Sequence, residues 1–328
     1  MKYLLLGGAG VFAVHTAKFL LKQKETTGVL SVGRNKPKNK AFTLDVGKND
    51  DRYAFKEAHI VFEKDILKEY IDQFEPDFVI NFAALAYATS WYKSFRYYDT
   101  NVTAVADLCE YLASKKYLKR FLQIGTSELY GSNDFPVKED LAVNPTSPYA
   151  VSKLAADLHL NTLFKVKKFP MSIIRPSNCY SSGQYMYRIV PKAIYCALKK
   201  IKFPLQGGGK VKKSFMHSKD LAEAIYLIIH KTEPGNIYNA GTKEPISMKN
   251  IIIKVAENFN MNFDDLVQIT EAREGEDATY WLDSSKLYNE TGWEAKISIE
   301  EGIQETREWI EKYNNELGES EFEFLLRA

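Results

Sequence analysis

Six short apolar runs dictate most of what this chain can become: KYLLL (2–6), GVLSV (28–32), HIVFE (59–63), DFVIN (77–81), RFLQI (120–124) and MSIIR (171–175). Their length and apolar character suit strands covered on both faces rather than strands with one face in water. Between most of them lie helix-length segments, at 11–24, 96–115 and 148–168, with apolar residues three and four apart. Parallel strands need long crossovers, and helices supply them. The alternation predicts an α/β chain built on a doubly wound, largely parallel sheet.

After about residue 176 the rhythm changes. CYSSGQY, PLQGGGKVKK and TEPGN are rich in turn formers, and helical patterns at 245–260 and 299–313 are separated by a loop-like stretch. AEAIYLIIH followed by NIYNAG reads as one more helix and strand returning to the sheet. A discontinuous organisation is therefore expected. Residues 1–175 plus about 212–243 would form the sheet domain, about 176–211 plus 244–315 a smaller α/β substrate-binding domain, and 316–328 a tail.

A chain of 328 residues can bury a full core without covalent staples. Its formal net charge of +2 gives no global pull toward nucleic acid or a membrane surface, so neither is expected as a partner. Cys109, Cys179 and Cys196 are far apart, with no CxxC spacing and no histidine cluster. They read as free thiols of a reducing cytoplasm, and no metal site is expected. MKYLLLGGAGVFAV has a lysine before an apolar run, but glycines interrupt it at a meaningful spacing and no small-residue cleavage site follows. No stretch approaches the roughly 18 apolar residues of a membrane span.

Gly7-Gly8-Ala9-Gly10-Val11-Phe12-Ala13 follows the first strand and opens a helix, giving G-x-x-G-x-x-A. Glycines at 7 and 10 let the backbone turn tightly, and amides at the helix start, through Val11 and Phe12, can face a pyrophosphate. A dinucleotide cofactor is the expected ligand. After the second strand the chain reads Val32-Gly33-Arg34-Asn35-Lys36, with no acid until Asp45 to bind an unmodified ribose. Arg34 suits a 2′-phosphate, which favours NADP over NAD; the plainer alternative is a solvated loop cation that stacks on adenine. Asp65-Ile66, taken to follow the third strand, and Ala83-Ala84 after the fourth are expected at the carboxyl edge where such sheets bind ligands.

Tyr149 and Lys153 are four apart on a helical pattern that starts at Ser147-Pro148, so both project from one face. A free phenol titrates near pH 10, so using it as a base near neutrality requires roughly 3 units of help; a neighbouring ammonium supplies part. His15 and His217 read as structural or solvent-exposed residues.

GGAGVFA, DI at 65–66, AALAYATSWYKSFRYYDTNV, GTSELYG, YAVSK, RPSNCY and DSSKLYNETGWEAKISIEEGI together resemble the extended short-chain dehydrogenase/reductase family that modifies nucleotide sugars. The resemblance runs in register over roughly residues 1–313. It implies a Rossmann-type sheet domain, a smaller sugar-nucleotide domain and a tightly held nicotinamide that oxidises a hexose at C4. TSELYG further resembles the 4,6-dehydratases, GDP-mannose 4,6-dehydratases above all. On that likeness Tyr149 takes the C4 hydroxyl proton, Thr126 holds O4, Glu128 removes the C5 proton, and hydride returns at C6 after water leaves. Ser127 stands where dTDP-glucose dehydratases usually have Asp, which leaves the acid for the departing hydroxyl unassigned.

Other departures are Asn81 in place of a histidine, Ala13 in place of the last glycine, and Ser181-Ser182 in place of Gly-Pro. The likeness also implies substrate contacts from Ser127, Asn178, Lys192, Lys213 and Arg273, and a homodimer through helices 96–115 and 148–168. For the dimer the pattern is Val102, Val105, Leu108, Cys109 and Leu112. A 4-epimerase, a UDP-glucuronate-type decarboxylase and a non-enzymatic cofactor-binding scaffold remain as alternatives.

Overall fold

The computed structural model describes residues 1–37, 39–86, 93–271 and 279–318. Its centre is a seven-stranded parallel sheet. The strands are β1 (Lys2–Leu6), β2 (Gly28–Gly33), β3 (Tyr53–Glu57), β4 (Phe78–Asn81), β5 (Arg120–Ile124), β6 (Met171–Pro176) and a final strand Ile237–Ala240. Their spatial order is Ile237–Ala240, β6, β5, β4, β1, β2, β3. The chain thus winds outward from β1 in one direction, then restarts at β4 and winds the other way. The crevice between the carboxyl ends of β1 and β4 is the switch point at which sheets of this kind bind ligands.

Strand alternation explains the two cores. In β1, Tyr3 and Leu5 point into a cluster with Ala17 and Leu20 of α1 (Val11–Leu21), and with Leu221, Ile225 and Ile228 of the helix Ser218–Lys231. Leu4 and Leu6 point to the other face. There they meet α2 (Lys64–Phe74), α4 (Ala104–Leu112) and α5 (Pro148–Lys167) through Leu67, Ile71, Val105, Leu108 and Leu160. The returning helix and strand read from AEAIYLIIH and NIYNAG are present, with Ile237–Ala240 paired parallel to β6.

Two expectations need correction. HIVFE is not the third strand: β3 is YAFKE, Tyr53–Glu57, and Phe62 is 81% exposed. β3 lies at the sheet edge, with one neighbour and partial exposure along its length, so nothing demands a continuous apolar run there. The segment 96–115 is a short helix, α3 (Phe95–Tyr98), a π-helical turn (Asp99–Thr103) and α4. Val105, Leu108, Cys109 and Leu112 are buried against the sheet within this chain, so they do not supply a dimer face.

Beyond the sheet, a third core gathers Val190 and Ile194 of the helix Ile189–Lys199 with Ile251, Ile252 and Val255 of the helix Met248–Asn258. Ile303 and Ile310 of the helix Ile299–Lys312 complete it. Small sheets surround this core. Asn178–Tyr180 pairs with Phe215–His217, and Lys212–Lys213 lies between Ile246–Ser247 and Thr279–Tyr280. The three cysteines are free and buried. Among the described residues no helix is long and apolar enough to cross a membrane, and no group of three His, Cys, Asp or Glu side chains could hold a metal.

Candidate active site

At the switch point, Gly7 adopts φ +73°, and a Cβ there would stand 2.7 Å from the Ala83 backbone nitrogen. The turn after β1 therefore presses directly on the loop after β4, a contact open only to glycine. A Cβ on Gly8 would fall 2.5 Å from Ser31 Cβ, so Gly8 is the residue that lets the turn close over β2. Gly10 is the N-cap of α1, with no side chain capping the helix and no acid in its first turn. Amides of Val11 and Phe12 are thus left to an outside acceptor, the arrangement that suits a pyrophosphate. Asn81 Oδ1 accepts the Ala83 N–H at 3.1 Å, while its Nδ2 donates to Gln123 Oε1 at 2.9 Å. The residue in place of the expected histidine thereby fixes the Ala83-Ala84 loop.

Arg34 follows β2 and is exposed. Asp65 and Ile66 do not directly follow β3. They occupy the first turn of α2, exposed, because β3 ends at Glu57 and a connecting turn intervenes. The residues that follow β3 are Ala58, His59 and Ile60. His59 Nδ1 accepts the Val61 N–H, and the imidazole is shifted down by burial first and by the Arg34 charge second.

The catalytic candidates converge from two elements. β5 ends at Ile124, and Thr126 caps the 3-10 turn Ser127–Tyr130 by accepting the Glu128 N–H at 3.2 Å. α5 starts at Ser147, whose hydroxyl accepts the Ala150 N–H, with Pro148 at the first helical position. This start points Tyr149 and Lys153 back at the end of β5, where Lys153 Nζ donates to the Ile124 carbonyl at 2.5 Å.

Tyr149 and Lys153 are both buried. Burial pushes the Tyr149 phenol well above its ordinary value; the Glu128 charge adds to this, and hydrogen bonding with Thr126 and the Arg188 charge oppose it. Burial pushes Lys153 down to about 8, opposed by the Asp157 carboxylate. Thr126, Glu128 and Tyr149 thus form one interacting group, with Lys153 one helical turn along the face of α5 that carries the tyrosine. A phenol in this setting can exchange a proton with a sugar hydroxyl, and a carboxylate near it can take one from an adjacent carbon.

Ser127 is buried beneath this turn. Asn178 begins the strand that follows β6, Lys192 sits on the helix Ile189–Lys199, and Lys213 lies 5.4 Å from the Tyr280 ring centroid. One link ties Lys213 to the catalytic turn. Asn133 donates to the Thr279 carbonyl, and the Thr279–Tyr280 strand pairs on its other edge with Lys212–Lys213. Arg273 lies outside the described residues. Ser181 and Ser182 are buried and bond to Ser218 and Glu305, which ties this loop to the helices behind it.

Several residues with a role here escaped the sequence reading. Asn101, in the π-helical turn, bonds Leu85 twice and Ser152 once, locking the loop after β4 to α5. Arg188, the N-cap of the helix Ile189–Lys199, acts electrostatically on Tyr149. No local pattern marks either one. His15 and His217, read as structural or exposed, are both buried.

The GDP-mannose 4,6 dehydratase family model matches residues 4–306, and the chain belongs to that family. It is 29% identical over 318 residues to the dTDP-D-glucose 4,6-dehydratase of Mus musculus, covering 95% of this chain and 89% of that one. It is 26% identical over 315 residues to a trifunctional UDP-glucose 4,6-dehydratase/UDP-4-keto-6-deoxy-D-glucose 3,5-epimerase/UDP-4-keto-L-rhamnose-reductase of Arabidopsis thaliana. That match covers 93% of this chain and spans 46% of the plant protein's length.

Among solved structures, the dTDP-glucose 4,6-dehydratase of Bacillus anthracis in complex with NAD superposes with TM-score 0.86 at 27% identity, covering 96% of this chain and 98% of that one. A UDP-glucuronic acid 4-epimerase of Bacillus cereus superposes with TM-score 0.86 at 24% identity, covering 95% and 99%, a likeness of fold alone.

Proposed function

We propose that this chain is a nucleotide-sugar 4,6-dehydratase, a hydro-lyase that converts a nucleoside-diphosphate hexose to its 4-keto-6-deoxy form. The observation that carries the reading is Glu128 on the turn after β5, within electrostatic reach of Tyr149. Epimerisation at C4 needs the tyrosine but no second base. A carboxylate beside it has work to do only if a further proton, at C5, must be removed.

In this reading Tyr149 takes the proton of the C4 hydroxyl and Thr126 holds O4. The nicotinamide, when bound, supplies the hydride acceptor at C4 and the donor at C6. Glu128 removes the C5 proton, made acidic by the C4 ketone, as the C6 hydroxyl departs. Lys153 holds a positive charge near the phenol, which favours its ionised form. Gly7, Gly10, Val11, Phe12, Ala83 and Ala84 would line the dinucleotide, and residues 1–175 with about 212–243 would be the part that holds it. The sugar nucleotide would lie toward Asn178, Lys192 and Lys213.

For the cofactor itself NAD is the proposed form. The Bacillus anthracis relative was solved with NAD, and Glu57, paired in register with Gly33, places a carboxylate beside the end of β2. Arg34 favours NADP instead, so the ratio of NAD to NADP affinity in Arg34→Ala against the parent chain separates the two. A homodimer is supported by Phe95, Tyr98, Val151 and Leu158, exposed apolar residues of α3 and α5, and sedimentation at micromolar concentration reads it. The functional test incubates the protein with GDP-mannose, dTDP-glucose, UDP-glucose, UDP-N-acetylglucosamine and UDP-glucuronate, weighs the products and reads their C4 configuration by proton NMR. Loss of water from at least one is expected; inversion at C4 or loss of carbon dioxide from UDP-glucuronate without dehydration overturns the reading.

A further inference from the structure

Tyr149, Lys153 and Asp157 follow one another at intervals of four along α5, so they form one stripe on one face of the helix. Asp157 is 1% exposed, more deeply buried than the tyrosine it follows. Such a carboxylate is costly unless charges compensate it. One compensation is visible. Arg175, near the end of β6, donates from Nε to Asp157 Oδ2 at 3.1 Å and places Nη2 3.0 Å from the same oxygen.

Both contacts fall on Oδ2. Oδ1 is buried with no hydrogen-bond partner among the described residues. Arg175 spends its remaining donor elsewhere, with Nη1 bonding the Tyr130 hydroxyl at 2.7 Å, and that hydroxyl donates to Asn239 Oδ1 at 3.0 Å. The ion pair is therefore lopsided: one carboxylate oxygen takes both Arg175 contacts and the other takes none, while Lys153, one helical turn back on the same face, donates to the Ile124 carbonyl.

We propose that Asp157 is a positioning residue for the reaction: from one helical turn beyond Lys153, its buried carboxylate holds that lysine as an ammonium, and the ammonium in turn lets Tyr149 release its proton. The role rests on the functional reading above only in needing Tyr149 as the proton acceptor. Asp157 touches no reacting atom and acts through Lys153. The charged and titratable groups facing it are Lys153 on α5 and Arg175 on β6, with Tyr130 held against Arg175; its charge also reaches Tyr149 directly and raises that phenol, so the effect through Lys153 has to exceed this opposing one. Without the carboxylate, Lys153 keeps the burial that disfavours its ammonium and loses the charge that opposes it.

The test titrates Tyr149 in the full chain with NAD present, as the ultraviolet phenolate absorbance that vanishes when Tyr149→Phe is introduced into the same background. Asp157→Asn is expected to raise the midpoint by about one pH unit, equivalent to about a tenfold loss of phenolate at fixed pH on the rising limb. Asp157→Glu should return it toward the parent value. With a competent sugar nucleotide, the acidic limb of the kcat/KM profile should move the same way.

Should Asp157→Asn fail to fold, the double variant Asp157→Asn/Arg175→Gln carries no unpaired charge. Its midpoint should then lie above that of Arg175→Gln alone. Midpoints unchanged or lowered in both comparisons, even with a lowered melting temperature, would leave Asp157 a counter-ion of Arg175 whose direct effect on Tyr149 prevails, and overturn the proposal. The absorbance titration needs no substrate, so a chain that dehydrates no hexose nucleotide defeats the functional reading without deciding this one.

Discussion

Glu128→Gln removes a proton acceptor and keeps the backbone of its turn. The backbone N–H of residue 128 still bonds Thr126 Oγ1, and the turn is still closed by Gly131 N–H on the carbonyl of residue 128. Gln is isosteric and half-exposed at this position, so the expected stability change is within about 0.5 kcal/mol. The chemical consequences have opposite signs. The Glu128 charge raises the Tyr149 pKa, so its loss lowers it, and oxidation at C4 should proceed at the parent rate or faster on the acidic limb. Proton removal at C5 loses its base and should slow by roughly 100- to 10,000-fold. On a competent hexose nucleotide the variant should accumulate reduced nicotinamide, yield no product lighter by one water, and incorporate no solvent deuterium at C5. Dehydration at the parent rate would refute the assignment of Glu128 and move the chain toward the epimerase or decarboxylase alternatives.

Gly7→Ala would force a Cβ to within 2.7 Å of the Ala83 nitrogen at a left-handed φ. Backbone strain of about 1–2 kcal/mol plus displacement of the β4 loop should lower the melting temperature and weaken dinucleotide affinity at least about tenfold, read by calorimetry. His15 and His217 stack edge to face at 5.9 Å, and burial lowers both to about 4. The folded form thus binds fewer protons than the unfolded one, so stability holds above about pH 6.5 and falls between about 6.5 and 4, by up to about 3 kcal/mol per histidine. His15→Gln, whose amide nitrogen can replace Nε2 on the Ser182 carbonyl, should flatten the urea-midpoint loss between pH 7 and pH 5; an undiminished loss in that variant would contradict this account.

The fold was legible where burial on both faces leaves a continuous apolar run. β1, β2, β4, β5 and β6 all fall within one residue of the runs that announced them, because a central parallel strand has no wet face on which to place polar residues. YAFKE escaped for the same reason in reverse, since an edge strand with partly exposed residues carries a weaker signal than HIVFE, a turn that happens to be apolar. Four of the five residues of the dimer pattern on 96–115 turn inward, because amphipathicity says that a helix buries one face and not what it buries it against. Val105, Leu108, Cys109 and Leu112 meet the sheet of their own chain.

Within the candidate site, legibility followed sequence distance. Tyr149 and Lys153 were singled out because their spacing is a property of one helix, and Thr126 and Glu128 because the contiguous segment TSELYG carries the resemblance. Asn101, His59 and Arg188 were missed because each gains its meaning from an element far away in sequence: the loop at Leu85, the end of β2, and Tyr149. Asp157 falls between these cases. Its spacing from Lys153 was in plain view, but an acid at that position of a helix is ordinarily solvated and inert. Only Arg175, delivered by the interior strand β6, makes its burial tolerable, and only burial gives its charge the low-dielectric reach to act on the lysine. The local pattern set the geometry of the stripe, and a tertiary contact decided that the stripe carries charge rather than water.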